Sequence, residues 1–248
     1  MKKITKKFGL KEIDKEGLDT LDTLAAAGNF NQWMYETIKP FCKGKILEIG
    51  SGIGNISQFF LKDGSEIALS DIRENYCRIL EKKFSGNKNL LGIQKMDLVL
   101  PDFDNVYKNS FEKFDTLFAL NVVEHIENDC LAIANAKKLL HKNGTLIILV
   151  PAFQILYNRF DEELYHFRRY TKKSLSDLFL KNKFSNLQKM YFNALGMVGW
   201  FVSGKVMRKK IIPSSQMSFY NKIVPFAKML DKLVLKQTGL SVIAVGTK

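Results

Sequence analysis

The protein has 248 residues, of which 46% are hydrophobic, 25% are charged, 16 are Gly and 5 are Pro. This composition is typical of a globular chain and excludes a disordered, collagen-like or coiled-coil polymer. The formal net charge is +13, which favours an anionic partner, although lysine-rich solvated helices would give the same charge.

The cysteines and the apolar segments define the expected location of the chain. Cys42, Cys77 and Cys130 lie far apart, which fits neither a disulfide framework nor a zinc site of the CxxC type. We therefore expect a reducing, cytoplasmic location. The start, MKKITKKFGLKEIDKEG, leads into no apolar stretch, so no secretory signal is predicted. No segment has the roughly 18 apolar residues that a membrane-spanning helix needs.

Residues 1–44 precede the first predicted strand, and we expect them to form a helical cap. Within them, residues 18–38 (LDTLDTLAAAGNFNQWMYETI) have apolar residues at helical spacing and end near Pro40. We expect this section to cover the C-terminal edge of the sheet.

The next part of the chain alternates short apolar segments with longer helix-compatible stretches. The segments are residues 45–50 (KILEIG), 66–70, 90–96, 114–120 and 144–150. Such alternation predicts βαβ units and a parallel sheet. Consecutive residues in each segment are apolar, as expected for strands covered by helices on both faces.

Two more strands are predicted near the end of the chain, at residues 187–193 and 240–246, and the last is expected beside the sixth. The predicted fold is therefore a doubly wound α/β fold with a seven-stranded, mostly parallel sheet. Residues 45–194 would form its core, residues 195–238 a basic amphipathic helical insertion and residues 239–248 the last strand.

The strongest local motif is the glycine loop Gly50-Ser51-Gly52-Ile53-Gly54, which follows a buried strand and precedes a helix. Glycines there let the backbone turn sharply and let a ligand approach the amides. The third glycine comes one residue too early for the dinucleotide fingerprint. Glu48, two residues before the loop, would repel a pyrophosphate, so a zwitterionic or cationic ligand is expected.

This motif and those after it resemble the class I S-adenosylmethionine (SAM)-dependent methyltransferases. The first motif is Leu47 to Gly54 (LEIGSGIG), and Asp71, Asp97 and Asn121 follow the second, third and fourth predicted strands. The resemblance implies that Asp71 binds the ribose hydroxyls, that Asp97 and the Leu98 amide read the adenine, and that Asn121 lies under the methionine part.

The cofactor implied by this resemblance is S-adenosyl-L-methionine, with S-adenosyl-L-homocysteine as product. The implied cofactor-binding residues are Glu48, Gly50, Ser51, Gly52, Gly54, Asn55, Asp71, Ile72, Asp97, Leu98 and Asn121. Singly, Asp71 or Asp97 is more often a turn or N-cap residue. Because the four motifs follow successive strands, where ligands of open α/β sheets bind, the cofactor interpretation is favoured over a flavin or NAD enzyme.

Candidate catalytic bases are few, and His166 and His125 are the two that we predict. His125 follows Glu124 after the fourth strand, whereas His166 lies in a segment rich in aromatic and charged residues, residues 151–175. That segment is expected to cover the active site. His141 precedes a glycine turn and is interpreted as a cation at a helix C-terminus.

The candidate acceptor-binding residues are Tyr35, Tyr157, Arg168, Arg169 and Tyr170. An arginine could hold an anionic acceptor. Alternatively, Arg168 and Arg169 pair with Asp161, Glu162 or Glu163 and only rigidify the loop. The run HFRRYT at 166–171, and NFNQWMYETIKPF earlier, resemble bacterial methyltransferases of the ubiquinone-biosynthesis-like type, often associated with polysaccharide and glycolipid pathways.

No metal ion is predicted. Asn121 to His125 (NVVEH) is similar to an E-x-x-E-H metal motif of some quinone and small-RNA methyltransferases, but Asn121 replaces the first acid and Asn128 stands where the RNA enzymes have another His. A carboxamide is the weaker ligand. We therefore interpret His125 as a positioned base or a packing residue.

The reaction is predicted from motifs that the sequence lacks. It has neither a D/N-P-P-Y/F run after the fourth strand nor a Pro-Cys nucleophile. O-methylation of a small-molecule, saccharide, lipid-linked saccharide or quinone-like acceptor is therefore favoured, with N-methylation of an amine behind it. The alternatives are an RNA methyltransferase and a noncatalytic SAM-binding regulatory or scaffold subunit.

Residues 195–248 carry nine Lys or Arg against Asp231 alone. An uncharged stretch, residues 190–204, leads into the basic cluster Lys205, Arg208, Lys209 and Lys210. This pattern suits an interfacial helix on an anionic membrane surface, which would place the protein at the inner face of a membrane. The alternative is a helical hairpin that covers the core. Nucleic-acid binding is less favoured, because no RNA-binding module is recognised.

Overall fold

The computed structural model describes residues 15–207 and 213–248, and these form one sheet with helices on both faces. The strand order is β3-β2-β1-β4-β5-β7-β6, with β7 antiparallel to both of its neighbours and the other pairings parallel. The strands are β1 (Ile46–Ile49), β2 (Ile67–Asp71), β3 (Leu90–Lys95), β4 (Phe114–Leu120), β5 (Leu140–Pro151), β6 (Ser185–Phe192) and β7 (Ser241–Thr247). The predicted seven-stranded, doubly wound fold is confirmed.

Ten α-helices lie in the described ranges. They are α1 (Lys15–Ala25), α2 (Gly28–Ile38), α3 (Ser57–Lys62), α4 (Glu74–Phe84), α5 (Phe103–Val106), α6 (Asp129–Leu139), α7 (Arg159–Glu163), α8 (Lys172–Lys181), α9 (Ala194–Trp200) and α10 (Ser214–Leu233). Short 3-10 turns occupy Lys39–Phe41, Lys108–Ser110, Val123–His125 and Gln154–Leu156, and a π-helix, Phe201–Val206, continues α9.

Adjacent residues of each central strand enter different apolar layers. Leu47 and Leu117 pack in one layer with residues of α6 and α8, whereas Ile46 and Phe118 pack in the other with residues of α2, α3 and α10. Side chains of a strand alternate between the two faces of a sheet. Both layers are apolar, which explains why the strand sequences are apolar at consecutive positions.

The N-terminal section is helical, as its spacing predicts, and it consists of two helices, α1 and α2. The chain turns between α1 and α2, where the side-chain amide of Asn31 donates a hydrogen bond to the Leu24 carbonyl at 2.7 Å. The side-chain amide of Asn55, just after the glycine loop, donates to the Leu21 carbonyl at 2.9 Å. α1 is therefore held over the glycine loop, at the predicted edge of the sheet.

The C-terminal insertion covers the core with one face of α10. Val224 and Ala227 are buried in the layer that contains Ile46. Asp231 is also buried, and its carboxylate accepts the backbone N–H groups of Asn193 and Ala194, both at 2.7 Å. These two bonds tie the end of α10 to the start of α9.

A second, apolar face of α10 is exposed. Phe219, Phe226, Met229 and Leu233 recur at helical spacing and are 49–69% exposed. Arg208, Lys209 and Lys210 lie outside the described residues. No helix in the described ranges is long and apolar enough to cross a membrane.

The membrane interpretation makes a prediction at this exposed face. Replacing Phe226 and Leu233 together by Ser should lower partition into phosphatidylglycerol vesicles at least about tenfold, because burying one such side chain contributes about 1.5–3 kcal/mol. Vesicle flotation measures the partition. The matched control is Val106→Ser with Leu180→Ser, which are equally exposed apolar residues on α5 and α8. Equal flotation of both double variants and the parent would contradict the membrane interpretation.

Candidate active site

One large cavity, of about 990 Å³, opens at the carboxyl ends of the central strands. Ile49 and Gly50 line it at the end of β1, Asp71 at the end of β2, Asn121 after β4 and Pro151 at the end of β5. Parallel strands bring their carboxyl ends to the same edge, and the strand order reverses between β1 and β4. This is the place where open α/β sheets bind ligands.

The glycine loop requires its glycines. Gly50, Gly52 and Gly54 have φ angles of 71°, 54° and 79°, in the left-handed region that other residues rarely adopt. A Cβ atom on Gly50 would lie 2.4 Å from a methyl of Val122, and one on Gly52 would lie 3.0 Å from Leu21. Gly50 and Gly52 line the cavity, so the backbone reaches the cavity there without a side chain.

Asp71 is buried beneath the loop and aims its carboxylate along the cavity wall. One oxygen accepts the N–H of Gly52 and the other accepts the N–H of Arg73, both at 3.0 Å. Burial raises the pKa of Asp71, although these two hydrogen bonds act to lower it. Each carboxylate oxygen has a further lone pair, so a hydroxyl pair of a ligand can still bind there.

Ile72, Asp97 and Leu98 also line the cavity. The Asp97 carboxylate accepts the Val99 N–H at 2.8 Å, and the Leu98 carbonyl is held by Asn135 at 2.9 Å. The five residues predicted from the ends of β2, β3 and β4 (Asp71, Ile72, Asp97, Leu98 and Asn121) thus line the same cavity.

Four of the predicted cofactor residues are not part of the cavity lining: Glu48, Ser51, Gly54 and Asn55. Glu48 accepts a hydrogen bond from the Ser57 hydroxyl, and burial raises its pKa to about 7. Its carboxyl group therefore supports the loop from below instead of facing the ligand. A Cβ atom on Gly54 would lie 2.4 Å from the Phe84 ring, so this glycine lets α4 approach.

A buried group of charged residues forms the opposite wall of the cavity. Nδ1 of His166 lies 2.8 Å from Oδ1 of Asp161, and the Arg169 Nε–H donates to the same oxygen at 2.8 Å. Arg169 also donates to the Ala152 carbonyl at 3.1 Å, which anchors the group to the end of β5. Burial acts to raise the pKa of Asp161, but the hydrogen bonds from His166 and Arg169 lower it overall. Asp161 is therefore an ionised anchor.

Glu124 and His125 complete this wall from the turn after β4. Glu124 is fully buried, neither of its carboxylate oxygens accepts a hydrogen bond from the side chain of another described residue, and Oε1 lies 3.9 Å from Nε2 of His166. Burial raises the pKa of Glu124 to about 7, with His166 opposing the shift. Burial, reinforced by His166, lowers the pKa of His125 to about 3, so its ring is neutral.

One ligand atom from each of Glu124, His125 and His166 lies within 4.8 Å of the others. Sequence reasoning predicted no metal here because Asn121 replaces an acid. The three side chains together can share a proton, and they also have the donor types that bind a divalent ion.

The predicted acceptor residues separate in the structure. Arg169 lines the cavity, whereas Tyr35, Tyr157, Arg168 and Tyr170 do not. Arg168 pairs with Asp129 at 2.7 Å, and the Tyr170 hydroxyl donates to the same carboxylate at 2.8 Å. Arg168 and Tyr170 therefore fix the segment to α6.

Tyr157 and Tyr35 are the two other predicted acceptor residues, and the hydroxyl of each donates a hydrogen bond within the protein. Tyr157 donates to the His166 carbonyl at 2.8 Å, so it holds the backbone of His166. Tyr35 donates to Asp63 and packs against Phe59 and Phe60, away from the cavity.

Sequence reasoning did not select Asp161 or Glu124 as site residues. The sequence does contain a signal at Asp161. Asn158 and Asp161 have the spacing of a capping box, and they form one at the start of α7. That signal predicts a helix start and not a histidine partner. The sequence contains no such signal for Glu124, since only the fold shows that its side chain is buried beside His166.

Comparisons with known proteins agree with the fold and the glycine loop. Residues 47–146 match a family model described as a methyltransferase domain. Over 110 residues the chain is 30% identical to the ubiquinone biosynthesis O-methyltransferase of Pelagibacter ubique, covering 44% of this chain and 43% of that protein. Over 118 residues it is 28% identical to the highly reducing polyketide synthase rstn3 of Aspergillus nomiae, covering 42% of this chain and 4% of that protein. The matches thus span less than half of these relatives.

Solved structures show the same fold. A SAM-dependent methyltransferase from Archaeoglobus fulgidus superposes with a TM-score of 0.58 at 15% identity, over 88% of this chain and 94% of that one. Phosphoethanolamine N-methyltransferase 2 of Haemonchus contortus, in complex with SAM, superposes with a TM-score of 0.58 at 13% identity, over 89% of this chain and 52% of that one. The solved structures confirm the predicted Rossmann-like fold. The family model matches a methyltransferase domain to residues 47–146 of this chain.

The position of Asp71 predicts its effect on cofactor affinity. Asp71→Asn removes the charge and one acceptor, so SAM should bind at least about tenfold more weakly, as expected for a lost hydrogen bond to a charged group of about 1.5–3 kcal/mol. Calorimetric titration with SAM measures this. Asp102→Asn, an exposed acid outside the lining, is the control. Unchanged SAM affinity in a folded Asp71→Asn variant would exclude the ribose role.

The raised pKa of Glu124 predicts a pH dependence of stability. The folded protein keeps the Glu124 proton up to pH about 7, whereas the unfolded chain releases it near pH 4.5. The contribution of Glu124 to the free energy of unfolding therefore falls as pH rises between those values. The free energy of unfolding of the parent minus that of Glu124→Gln should therefore decrease from pH 5 to pH 7 and then level off. Urea unfolding measures it, with exposed Glu127→Gln as control. A pH-independent difference would contradict the raised pKa.

Proposed function

We propose that this chain, whose residues 47–146 match a methyltransferase domain, transfers the methyl group of SAM to an oxygen atom of a small-molecule acceptor. The observation that carries the proposal is the 2.8 Å contact between His166 and Asp161 in the cavity that also contains the glycine loop. Acceptors of the saccharide, lipid-linked saccharide or quinone-like class fit this chemistry.

The residues at the strand ends fit the cofactor. Gly50 and Gly52 bring the backbone to the cavity without a side chain, and Asp71 offers acceptor lone pairs for the ribose hydroxyls. Asp97, after the neighbouring strand β3, lines the same cavity for the adenine. Once bound, SAM supplies an electrophilic methyl group on a sulfonium. α1, held to the loop through Asn55 and Leu21, covers this end of the cavity and limits the entry of water.

Methyl transfer to a hydroxyl requires a base, and His166 has the geometry of one. If the Nδ1–H of His166 donates to Asp161, then the Nε2 lone pair is directed away from Asp161 and towards Glu124. A carboxylate that fixes the histidine tautomer in this way is the arrangement of catalytic triads. The acceptor O–H bond would break as its proton moves to Nε2, and the acceptor oxygen would form the new bond to the methyl carbon. The bond from that carbon to sulfur would break, and its electron pair would stay on the departing thioether sulfur.

Arg169 and Glu124 support this base in different ways. Arg169 neutralises Asp161 and keeps it ionised, so the imidazolium that forms is paired with an anion already in place. Glu124, with a pKa of about 7, can take up a proton from His166 between turnovers. The HFRRYT run therefore supplies a base, His166, and its supports.

Among the similar proteins described above, one supports oxygen as the acceptor atom, because it is an O-methyltransferase. An RNA acceptor has no support from these matches. A noncatalytic SAM-binding subunit would not need a histidine oriented by a buried acid.

The proposed base predicts a specific kinetic effect. His166→Ala should lower kcat about 100-fold or more, in the range of general-base catalysis, and leave SAM affinity within about twofold. Asp161→Asn should also lower kcat, because an amide no longer fixes the tautomer. His141→Ala, which removes an exposed histidine, is the control.

The assay uses methyl-labelled SAM with fractionated host extract, with and without EDTA, and counts label in lipid, glycan, RNA and protein. His166-dependent label in lipid or glycan supports O-methylation. Label in RNA, or label that survives His166→Ala unchanged, would overturn the proposal. Loss of label with EDTA would assign Glu124, His125 and His166 to a metal ion instead of a proton relay.

A further inference from the structure

The cavity continues well beyond the residues that fit the cofactor. Its far wall is formed by α2, α9, the π-helix and α10, through residues such as Phe30, Leu195, Trp200, Met217 and Ile223. We call this part the apolar branch. At about 990 Å³, the whole cavity reaches the upper end of the roughly 300–1,000 Å³ range of small-molecule pockets. It has room for a second ligand beside the cofactor.

Charge is divided sharply between the two ends of the cavity. Acidic and basic lining residues, including Asp71, Asp97, Glu124 and Arg169, lie at the strand ends and in the His166 segment. None of the described lining residues between 193 and 223 is charged. A ligand that spans the cavity past His166 therefore meets charged groups at one end and an uncharged, mostly apolar lining at the other.

The apolar branch reaches the surface. Val198, Val202 and Phe219 line the cavity and are also 62%, 43% and 63% exposed. Exposed apolar side chains at the rim of a cavity are typical of an entrance for an apolar ligand. This rim is continuous with the exposed apolar face of α10 described above.

We propose that the methyl acceptor is an amphiphile whose hydrocarbon tail of at least about eight carbons occupies the apolar branch, while its hydroxyl lies against His166. The inference rests on the proposed methyl transfer and selects, among its acceptor classes, those with an apolar tail. Trp200 links the two ends of the cavity, because its indole N–H donates to the Leu156 carbonyl at 3.2 Å and its ring lies 4.6 Å from the Arg169 guanidinium.

Binding of neutral amphiphiles tests the proposal without turnover. Hexyl, octyl and decyl β-glucoside, each below its micelle concentration and with SAM present, are titrated calorimetrically. Each buried CH2 contributes about 0.8 kcal/mol, which corresponds to roughly fourfold tighter binding per carbon. We expect the affinity to rise at least about tenfold from hexyl to decyl. Equal affinity for the three glucosides, or no binding, would overturn the proposal.

Two variants narrow the apolar branch from opposite walls. A Cβ atom on Gly199 would meet only the Gln216 side chain, at 4.0 Å, so Gly199→Leu fits and extends into the cavity. Ile223→Trp does the same from α10. Each should weaken decyl glucoside binding about tenfold or more and leave SAM affinity unchanged, which also shows that the variant is folded. Gly28→Leu is the control, because Gly28 has open space and lies outside the lining.

Tryptophan fluorescence locates the tail. The chain has two tryptophans, Trp33 and Trp200, so Trp33→Phe leaves Trp200 as the sole emitter. Its emission should shift to shorter wavelength with decyl but not with hexyl glucoside, and an unchanged spectrum would contradict occupancy of the branch.

Different results would overturn the methyl-transfer proposal and the proposal of an apolar tail. His166-dependent label in a polar glycan, together with glucoside binding that is independent of chain length, would overturn the tail alone. Chain-length-dependent binding without His166-dependent transfer would overturn the methyl-transfer proposal alone.

Discussion

Burial of the parallel strands on both faces is the constraint on which the rest of the structure depends. Because α2, α3 and α10 cover one face and α6 and α8 cover the other, polar functional groups cannot project from the middle of the sheet without losing hydration. They are confined to the loops at its carboxyl edge. The glycine loop, Asp71 and Asn121 meet there for this reason, although they are far apart in the sequence.

The second organising feature is the buried group of Asp161, His166 and Arg169. An isolated ion in this position would be costly, and the group is stable because Asp161 accepts hydrogen bonds from both partners. The Arg169 contact to the Ala152 carbonyl joins the group to the sheet. The segment after β5 is thereby fixed against the cavity, and Arg169 is connected to His166 through Asp161.

The C-terminal insertion covers the core and also has an exposed apolar face. One side of α10 packs in the core, through Val224 and Ala227, and another side is exposed and apolar. Between them, α9 and α10 enclose the uncharged part of the cavity. A helix that covers the core can therefore also shape an acceptor site, because its faces are independent at a spacing of 3.6 residues.

The sequence by itself determined the fold class, the strand positions and the glycine loop, because these depend on local patterns: apolar runs of strand length, positive-φ glycines and acids directly after strands. The tertiary structure decided the partners of the charged side chains. Arg168 and Arg169 are adjacent in sequence, yet one pairs with Asp129 on α6 and the other with Asp161. Likewise, only the fold places Glu48 behind the loop and Tyr35 away from the cavity. Long-range pairing depends on distances between elements, and a periodic pattern along one chain does not encode them.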